Sequence, residues 1–306
     1  MASAVVFAYH NVGYRCLSVL LAQGVNVKLL VTHQDSPNET IWFDSVAQLA
    51  RWHGIPVITP DDPNCEAVVA QVQAAQPDFI FSFYYRNMLK APLLAIPARG
   101  AYNMHGSLLP KYRGRVPVNW AIIHGETETG ATLHVMNEKP DNGALVDQQA
   151  IPILPNDTAR EVFDKVTVAA EITLHRCLPD LLAGTAKLKA QDLSKGAYFG
   201  GRKAEDGRID WHQPAANIHN LVRAVAPPYP GAFADINGQR LLVLRTRHLP
   251  ADGMPSFSGP TLFAQQQQLY LRAGDGNYLQ LLEFQLNQQA LDATSFVSHF
   301  GAVFTL

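Results

Sequence analysis

Little in this chain invites a cross-link or a metal. Its three cysteines, Cys16, Cys65 and Cys177, are far apart and odd in number. No disulfide framework or zinc-ligand spacing can be read from them, and they read as small apolar residues in a reducing compartment. The eleven histidines form no H-x-x-x-H cluster or Cys/His group, so no metal is expected. Charge is sparse too. Only 16% of the 306 residues are charged, and 24 basic against 26 acidic side chains leave a formal net charge of −2. Nucleic-acid binders generally carry a basic excess, which is missing here. No window offers the roughly 18 consecutive apolar residues of a membrane-spanning helix. The start, Met1–Phe7, lacks a charged n-region, and His10 and Asn11 break its apolar run, so it does not read as a signal peptide. A cytoplasmic protein is the expectation.

Two missing motifs exclude common chemistries. The first strand-to-helix turn, Tyr9-His10-Asn11-Val12-Gly13-Tyr14, has no G-x-G-x-x-G, which argues against dinucleotide binding. The chain also lacks G-x-S-x-G. Ser107, His105 and Asp141 therefore make only a superficial hydrolase triad, because residues two apart on one strand supply no nucleophile elbow.

What is present is an ordinary apolar fraction of 47% in a chain long enough for two domains. Short apolar runs alternate with helical patterns: strand Ala4–Ala8, helix Cys16–Leu21, strand Val27–Val31, helix Ser45–His53, strand Ile55–Ile58, helix Glu66–Ala75, strand Phe79–Ser82. Strands separated by single helices imply right-handed crossovers and a doubly wound, mostly parallel α/β sheet. A helical stretch from Thr158 to Leu182, ended by Gly184, closes this domain over residues 1–190. A Lys-, Gly- and Ser-bearing stretch follows, with a linker placed at 191–208. Beyond it, Leu241–Leu244, Gln268–Leu271 and Tyr278–Leu282 are short strand candidates between Gly- and Pro-bearing turns. They predict a small β-rich domain over 209–306, a barrel among the candidates.

The chemistry concentrates in Gly100-Ala-Tyr-Asn103-Met-His105-Gly-Ser107-Leu-Leu-Pro110-Lys-Tyr-Arg113-Gly-Arg115. If Ala101–His105 ends a strand, the two-residue period puts Asn103 and His105 on one face. That face lies near the carboxyl end of a parallel strand, where open α/β sheets bind ligands. The imidazole can move a proton near neutral pH, and the amide can donate to an oxyanion. Such a pair suits acyl transfer to an amine. Lys139-Pro140-Asp141-Asn142-Gly143 has turn chemistry around an acid, and Asp141 beside His105 would favour the imidazolium. Spacing alone leaves open that Asn103 and His105 only satisfy a loop, and that Asp141 only forms a turn.

These segments resemble the signature of 10-formyltetrahydrofolate-dependent formyltransferases. The resemblance extends to Phe81-Ser-Phe-Tyr-Tyr-Arg86, Asn119-Trp120 with Gly125-Glu-Thr-Glu-Thr-Gly130, Phe199-Gly-Gly-Arg202, Ile209-Asp-Trp211, and Val222-Arg-Ala224 through Pro230-Gly-Ala-Phe233. It covers most of the chain. Within the family the wording around Val5–His10 and His105–Arg115 is most similar to the members acting on UDP-4-amino-4-deoxy-L-arabinose, a step toward lipid A decoration and polymyxin resistance. Those members are often fused to a decarboxylating dehydrogenase, and a chain ending at Leu306 would be a stand-alone version. One departure is Pro140-Asp141-Asn142, where small residues would be expected on both sides of the acid.

The resemblance implies a Rossmann-like catalytic domain and an OB-like second domain. It implies N10-formyltetrahydrofolate as formyl donor and no metal. Asn103 would stabilise the tetrahedral oxyanion, His105 would shuttle the proton, and Asp141 would raise the histidine pKa. Asn87, Met88, Leu89, Arg115, Asn137, Glu138, Lys139 and Pro140 would contact the folate, mostly through backbone. Ser107, Arg113, Arg202 and Tyr229 are candidates for the nucleotide sugar.

Other acceptors weigh less. From Glu205 to Leu306 there are six Arg, no Lys and eight acidic residues, a poor surface for the phosphates of methionyl-tRNA. A dTDP-4-amino sugar would preserve the chemistry. In a formyltetrahydrofolate hydrolase, water would replace the amine at the same trio. A non-catalytic folate- or nucleotide-binding module would not need Asn103, His105 and Asp141 together.

Overall fold

The computed structural model describes residues 1–37 and 39–306. In chain order its elements are β1 (Ser3–Ala8), α1 (His10–Ala22), β2 (Asn26–Val31), α2 (Val46–Trp52), β3 (Val57–Ile58), α3 (Glu66–Ala75), β4 (Phe79–Phe83), α4 (Ala91–Leu94) and β5 (Ala101–His105). Then come β6 (Arg113–Gly114), α5 (Pro117–Ile123), β7 (Glu128–Val135), β8 (Leu145–Pro152), α6 (Ala159–Ala183) and β9 (Tyr198–Phe199). The last third holds α7 (Ala215–Val225), β10 (Ala232–Ile236), β11 (Gln239–Leu249), β12 (Thr261–Gln265), β13 (Gln268–Arg272), β14 (Tyr278–Leu286), β15 (Gln289–Ala290), α8 (Ala293–Phe300) and β16 (Val303–Thr305).

The first sheet runs β3-β2-β1-β4-β5-β7-β8. β1 to β5 are parallel, whereas β7 pairs antiparallel with both β5 and β8. Its central strands read SAVVFA and FIFSF and are buried throughout, as strands covered on both faces must be. Phe7, Phe79, Phe81 and Phe83 are among the largest fully buried side chains, each stabilising by about 1.5–3 kcal/mol. β8, at the edge, is only half-buried. The fold class is thus the mixed α/β architecture the alternation predicts.

One local reading differs. α1 begins at His10, six residues before the periodic apolar run, and already buries Val12 and Gly13. Glu128–Gly130, the end of the Gly125–Gly130 segment, open β7 and pair with β8 across Pro152 to Ala150. Cys16 and Cys177 are buried and Cys65 is exposed, all as free thiols.

The described residues divide into two compact units: 1–117, 128–152 and 163–200 in the first, and 118–127, 153–162 and 201–306 in the second. In the first unit, residues 185–200 are structured. Lys189 bridges Leu145 antiparallel, and β9 pairs parallel with β6.

The second unit is built on an antiparallel sheet ordered β10-β11-β14-β13-β12-β16. Alternating burial along β11 and β13 gives it one core face. The amphipathic α7 packs over β11, β10 and β14, burying Ile218, His219, Val222 and Arg223. Arg223 is not stranded there. It donates to the Asp157 carbonyl and to Asn220 Oδ1.

Candidate active site

β5 has a parallel neighbour on one side and an antiparallel one on the other. Ser82 of β4 pairs with Asn103, and His134 and Thr132 of β7 stand opposite Asn103 and His105. The two-residue period therefore delivers Asn103 and His105 to the same face, with His134 beside them. His105 is 6% exposed and His134 2%.

After His105 the chain is folded back by its own polar groups. Ser107 Oγ donates to the Lys111 carbonyl (2.6 Å), and Thr132 Oγ1 donates to the Ser107 carbonyl (2.6 Å). Gln148 Nε2 reaches the Leu109 carbonyl (2.9 Å). This turn brings the Tyr112 carbonyl to 2.7 Å from His105 Nε2. A carbonyl only accepts, so Nε2 carries the proton and Nδ1 holds the lone pair. Nδ1 lies 3.6 Å from Asp141 Oδ1, too long for a hydrogen bond but within ion-pair reach once the ring is protonated.

Asp141 sits in the β7–β8 hairpin at φ 55°, a left-handed conformation uncommon outside glycine. Its Oδ2 accepts the Gly114 N–H at 2.8 Å, and its Oδ1 faces His134 Nε2 at 3.3 Å. Burial pushes this carboxyl up. His105, the hydrogen bond and charge of His134, and the Gly114 N–H together outweigh burial, so the group is held well below the usual carboxylate range. The site therefore contains a buried, ionised acid. Gly143 is required two residues on, because a Cβ there would stand 1.8 Å from the Val135 carbonyl oxygen.

His134 is the site residue that sequence reading missed. Its Nδ1 faces the Val135 carbonyl (2.9 Å) and its Nε2 meets Asn103 Nδ2 (3.1 Å). Nε2 thus stands within reach of both the Asn103 amide and Asp141 Oδ1 (3.3 Å), and the ring holds the amide beside the acid. Among the described residues, that amide nitrogen has no second hydrogen-bond partner. The available signal was alternation: Thr132 and His134 are polar on one face of a strand whose other face holds Ala131 and Leu133, and all four are buried.

A second polar network went unread at the carboxyl ends of β1, β2 and β4. Tyr9 Oη donates to Asp35 (2.7 Å), and Arg86 grips Glu39 through both terminal nitrogens (2.8 and 2.5 Å). The Arg86 N–H donates to His33 Nε2 (3.0 Å). Burial, then the Arg86 cation, lower the His33 pKa to about 4, so this imidazole stays neutral.

The expected folate positions are mixed. Leu89 is buried in a cluster with Tyr85, Leu93 and Ala101, against which Met136 packs, so its side chain is core. That shared cluster brings the 87–89 and 137–141 loops to one neighbourhood. Met88 is half exposed, and Asn87 Nδ2 donates to the Asp61 carbonyl (3.3 Å). Asn137 Oδ1 accepts from the Lys139 N–H (3.1 Å), while Glu138, Lys139 and Arg115 are exposed and Pro140 is half-buried.

The expected sugar-nucleotide positions are largely occupied by the protein itself. Ser107 is fully buried with its hydroxyl engaged. Arg113 bonds Asn142 Oδ1 and the Leu193 and Gly196 carbonyls. These two side chains are pulled inward because each can satisfy buried backbone or amide oxygens. In the second unit, Arg202 lies over Trp120 (4.8 Å) and donates to the Asp206 carbonyl (2.7 Å), and desolvation lowers its pKa. Tyr229 has its hydroxyl pKa raised by burial, opposed by a hydrogen bond with Asn119. Among the described residues, no group of three or more His, Cys, Asp or Glu is placed to hold a metal ion, and no helix is long and apolar enough to cross a membrane.

Comparison with known proteins gives the same direction. Residues 202–301 match the family described as formyl transferase, C-terminal domain. Among solved structures, an N-formyltransferase from Helicobacter canadensis, bound to folinic acid and dTDP-3-aminofucose, superimposes with a TM-score of 0.71 at 20% identity, covering 95% of this chain and 100% of that one. A sugar 3N-formyltransferase with dTDP and 5-N-formyl-THF gives 0.69 at 19%, covering 95% and 98%. A 4-N formyltransferase from Francisella tularensis gives 0.64 at 19%, covering 77% and 93%. At these identities the structures establish a shared fold. Because residues 21–178 also match the formyl transferase family itself, the chain belongs to that family.

Proposed function

We propose that this chain transfers the formyl group of N10-formyltetrahydrofolate to the amine of a nucleotide-linked amino sugar, with UDP-4-amino-4-deoxy-L-arabinose as the first candidate and lipid A decoration as its setting. The observation carrying this reading is the convergence of Asn103, His105 and an ionised Asp141 at the carboxyl end of β5. The amine nitrogen attacks the formyl carbon, and the carbonyl oxygen takes the negative charge. The free Asn103 amide hydrogen donates to that oxygen. His105 Nδ1 accepts the amine proton and returns it to the folate N10 as the C–N10 bond breaks. The imidazolium formed between those steps lies beside the Asp141 carboxylate. Exposed Arg115 and the 87–89 and 137–140 backbones are the folate contacts. The related structures carrying dTDP-3-aminofucose and dTDP support a nucleotide sugar as acceptor class.

The test is incubation with N10-formyltetrahydrofolate and separate pools of UDP-4-amino-4-deoxy-L-arabinose, a dTDP-4-amino sugar and methionyl-tRNA, read by acceptor mass. Formyl on the UDP sugar alone, absent with His105→Ala, is the expected result. Formyl on another acceptor keeps the mechanism and removes the substrate. Formate release without any modified acceptor replaces transfer by hydrolysis.

A further inference from the structure

We propose that Arg113 and Gln191 are positioning residues for the Asp141 turn, and that residues 189–199 act as a clasp fixing the carboxylate against His105 and His134. This rests on the formyl-transfer reading of the site. Gln191 lies beyond α6, far along the chain from the signature, yet its Nε2 donates to both the Asp141 carbonyl (2.9 Å) and the Gly143 carbonyl (2.6 Å). The two hydrogens of one amide bracket the turn. Arg113 Nη1 donates to Asn142 Oδ1, the residue between them (2.8 Å). Three consecutive residues are thereby held from outside the hairpin.

The same arginine closes the other side of the clasp. Its Nη2 donates to the Gly196 carbonyl (2.9 Å) and the Leu193 carbonyl (3.3 Å). The next residue, Gly114, gives its N–H to Asp141 Oδ2 (2.8 Å), and β6 is pinned by pairing with β9. At Gly196 an added Cβ would fall 1.8 Å from the Pro110 carbonyl oxygen, so the segment lies directly on the loop that follows His105. At the other end, the Leu145–Lys189 bridge secures the segment to β8.

Asp141 needs such support. A side-chain-bearing residue keeps a left-handed backbone only where its surroundings impose it. Freed of Gln191, the turn can relax, and Oδ1 leaves the line between two imidazoles. Neither Arg113 nor Gln191 has a role here in touching substrate. Both act through Asp141.

The experiment compares wild type with Gln191→Leu, Arg113→Met and Arg113→Lys, each alone and with Asp141→Asn. Formyl transfer kinetics are measured beside the Asp141 carboxyl ¹³C titration and thermal stability. Gln191→Leu should lower kcat about 10- to 100-fold with little change in either KM, as loss of an interaction realised only in the transition state does. It should cost nothing further in the Asp141→Asn background, and Asp141 should titrate at higher pH than in wild type. Arg113→Lys should recover part of what Arg113→Met loses, since one ammonium can reach some of the same acceptors, and it serves if a truncated variant does not fold. A full multiplicative loss on top of Asp141→Asn, or an unmoved Asp141 titration in folded variants, overturns the proposal. The titration needs no acceptor. A wild type that transfers formyl to nothing would sink the functional reading and still leave the clasp decided.

Discussion

Asn103 on β5 and His134 on β7 stand directly across an antiparallel ladder, the amide Nδ2 3.1 Å from the imidazole Nε2. The pairing orients the amide to which the proposed mechanism assigns the oxyanion. A single oxyanion donor is worth about 10²–10³ in kcat, so Asn103→Leu should lose that much with KM nearly unchanged. His134→Phe, which keeps the volume but cannot hydrogen-bond the amide, should lose less, about tenfold, or about 1.4 kcal/mol. Steady-state kinetics on both variants check this. An unchanged kcat in His134→Phe would remove the orienting role.

Gly143→Ala tests the hairpin sterically. Its Cβ would meet the Val135 carbonyl oxygen at 1.8 Å, so backbone must move, and Asp141 moves with it. A destabilisation of about 1–3 kcal/mol is expected, together with a loss of turnover approaching that of Asp141→Asn. Urea unfolding and kinetics measured on the same preparation would separate the two effects.

Ser107→Ala should behave differently. The hydroxyl serves the Lys111 carbonyl (2.6 Å) and is fully buried. Its loss should cost about 1–2 kcal/mol of stability and leave the KM for the sugar nucleotide where it was. A raised acceptor KM without destabilisation would return Ser107 to the substrate.

Acid should weaken the fold in two separate windows. His219 is buried, its Nδ1 2.8 Å from Thr246 Oγ1 and its Nε2 2.9 Å from the Pro155 carbonyl. Desolvation lowers its pKa to about 4. Unfolded, the ring titrates near 6.5 and binds a proton more readily, so stability is complete above about 6.5 and falls progressively to about pH 4. His33, also lowered to about 4, adds to the same window. Asp141 acts lower. Its depressed pKa stabilises the fold above the ordinary carboxylate value, and that contribution is lost as pH falls below it. Urea midpoints between pH 8 and 4 should decline, with a shallower slope in His219→Gln. An equal slope in that variant would remove His219 as the cause.

The parallel half of the fold was legible because its strands announce themselves. Phe79–Phe81 and Ala4–Ala8 are continuous apolar runs, and the helices between them keep their period. Asn103 and His105 were legible for a related reason, since their relation is local to one strand and the period of two decides it. Asp141 was legible as an acid in a turn. The groups that fix its turn were not, because Gly114 and Gln191 lie 27 and 50 residues away along the chain.

The sequence by itself determined the alternation of strands and helices, the face shared by Asn103 and His105, and the family to which its motifs belong. Each of these depends on neighbours within a few residues, where backbone periodicity is the governing constraint. Only the tertiary structure decided that β7 runs antiparallel beside β5, and this register alone places His134 against Asn103 and Asp141. It also decided that Arg113 and Ser107 turn inward to satisfy buried oxygens, and that Gln191 reaches back to the Asp141 turn. Hydrogen bonds between distant segments carry no sequence period, so they exist only once packing has brought their ends together.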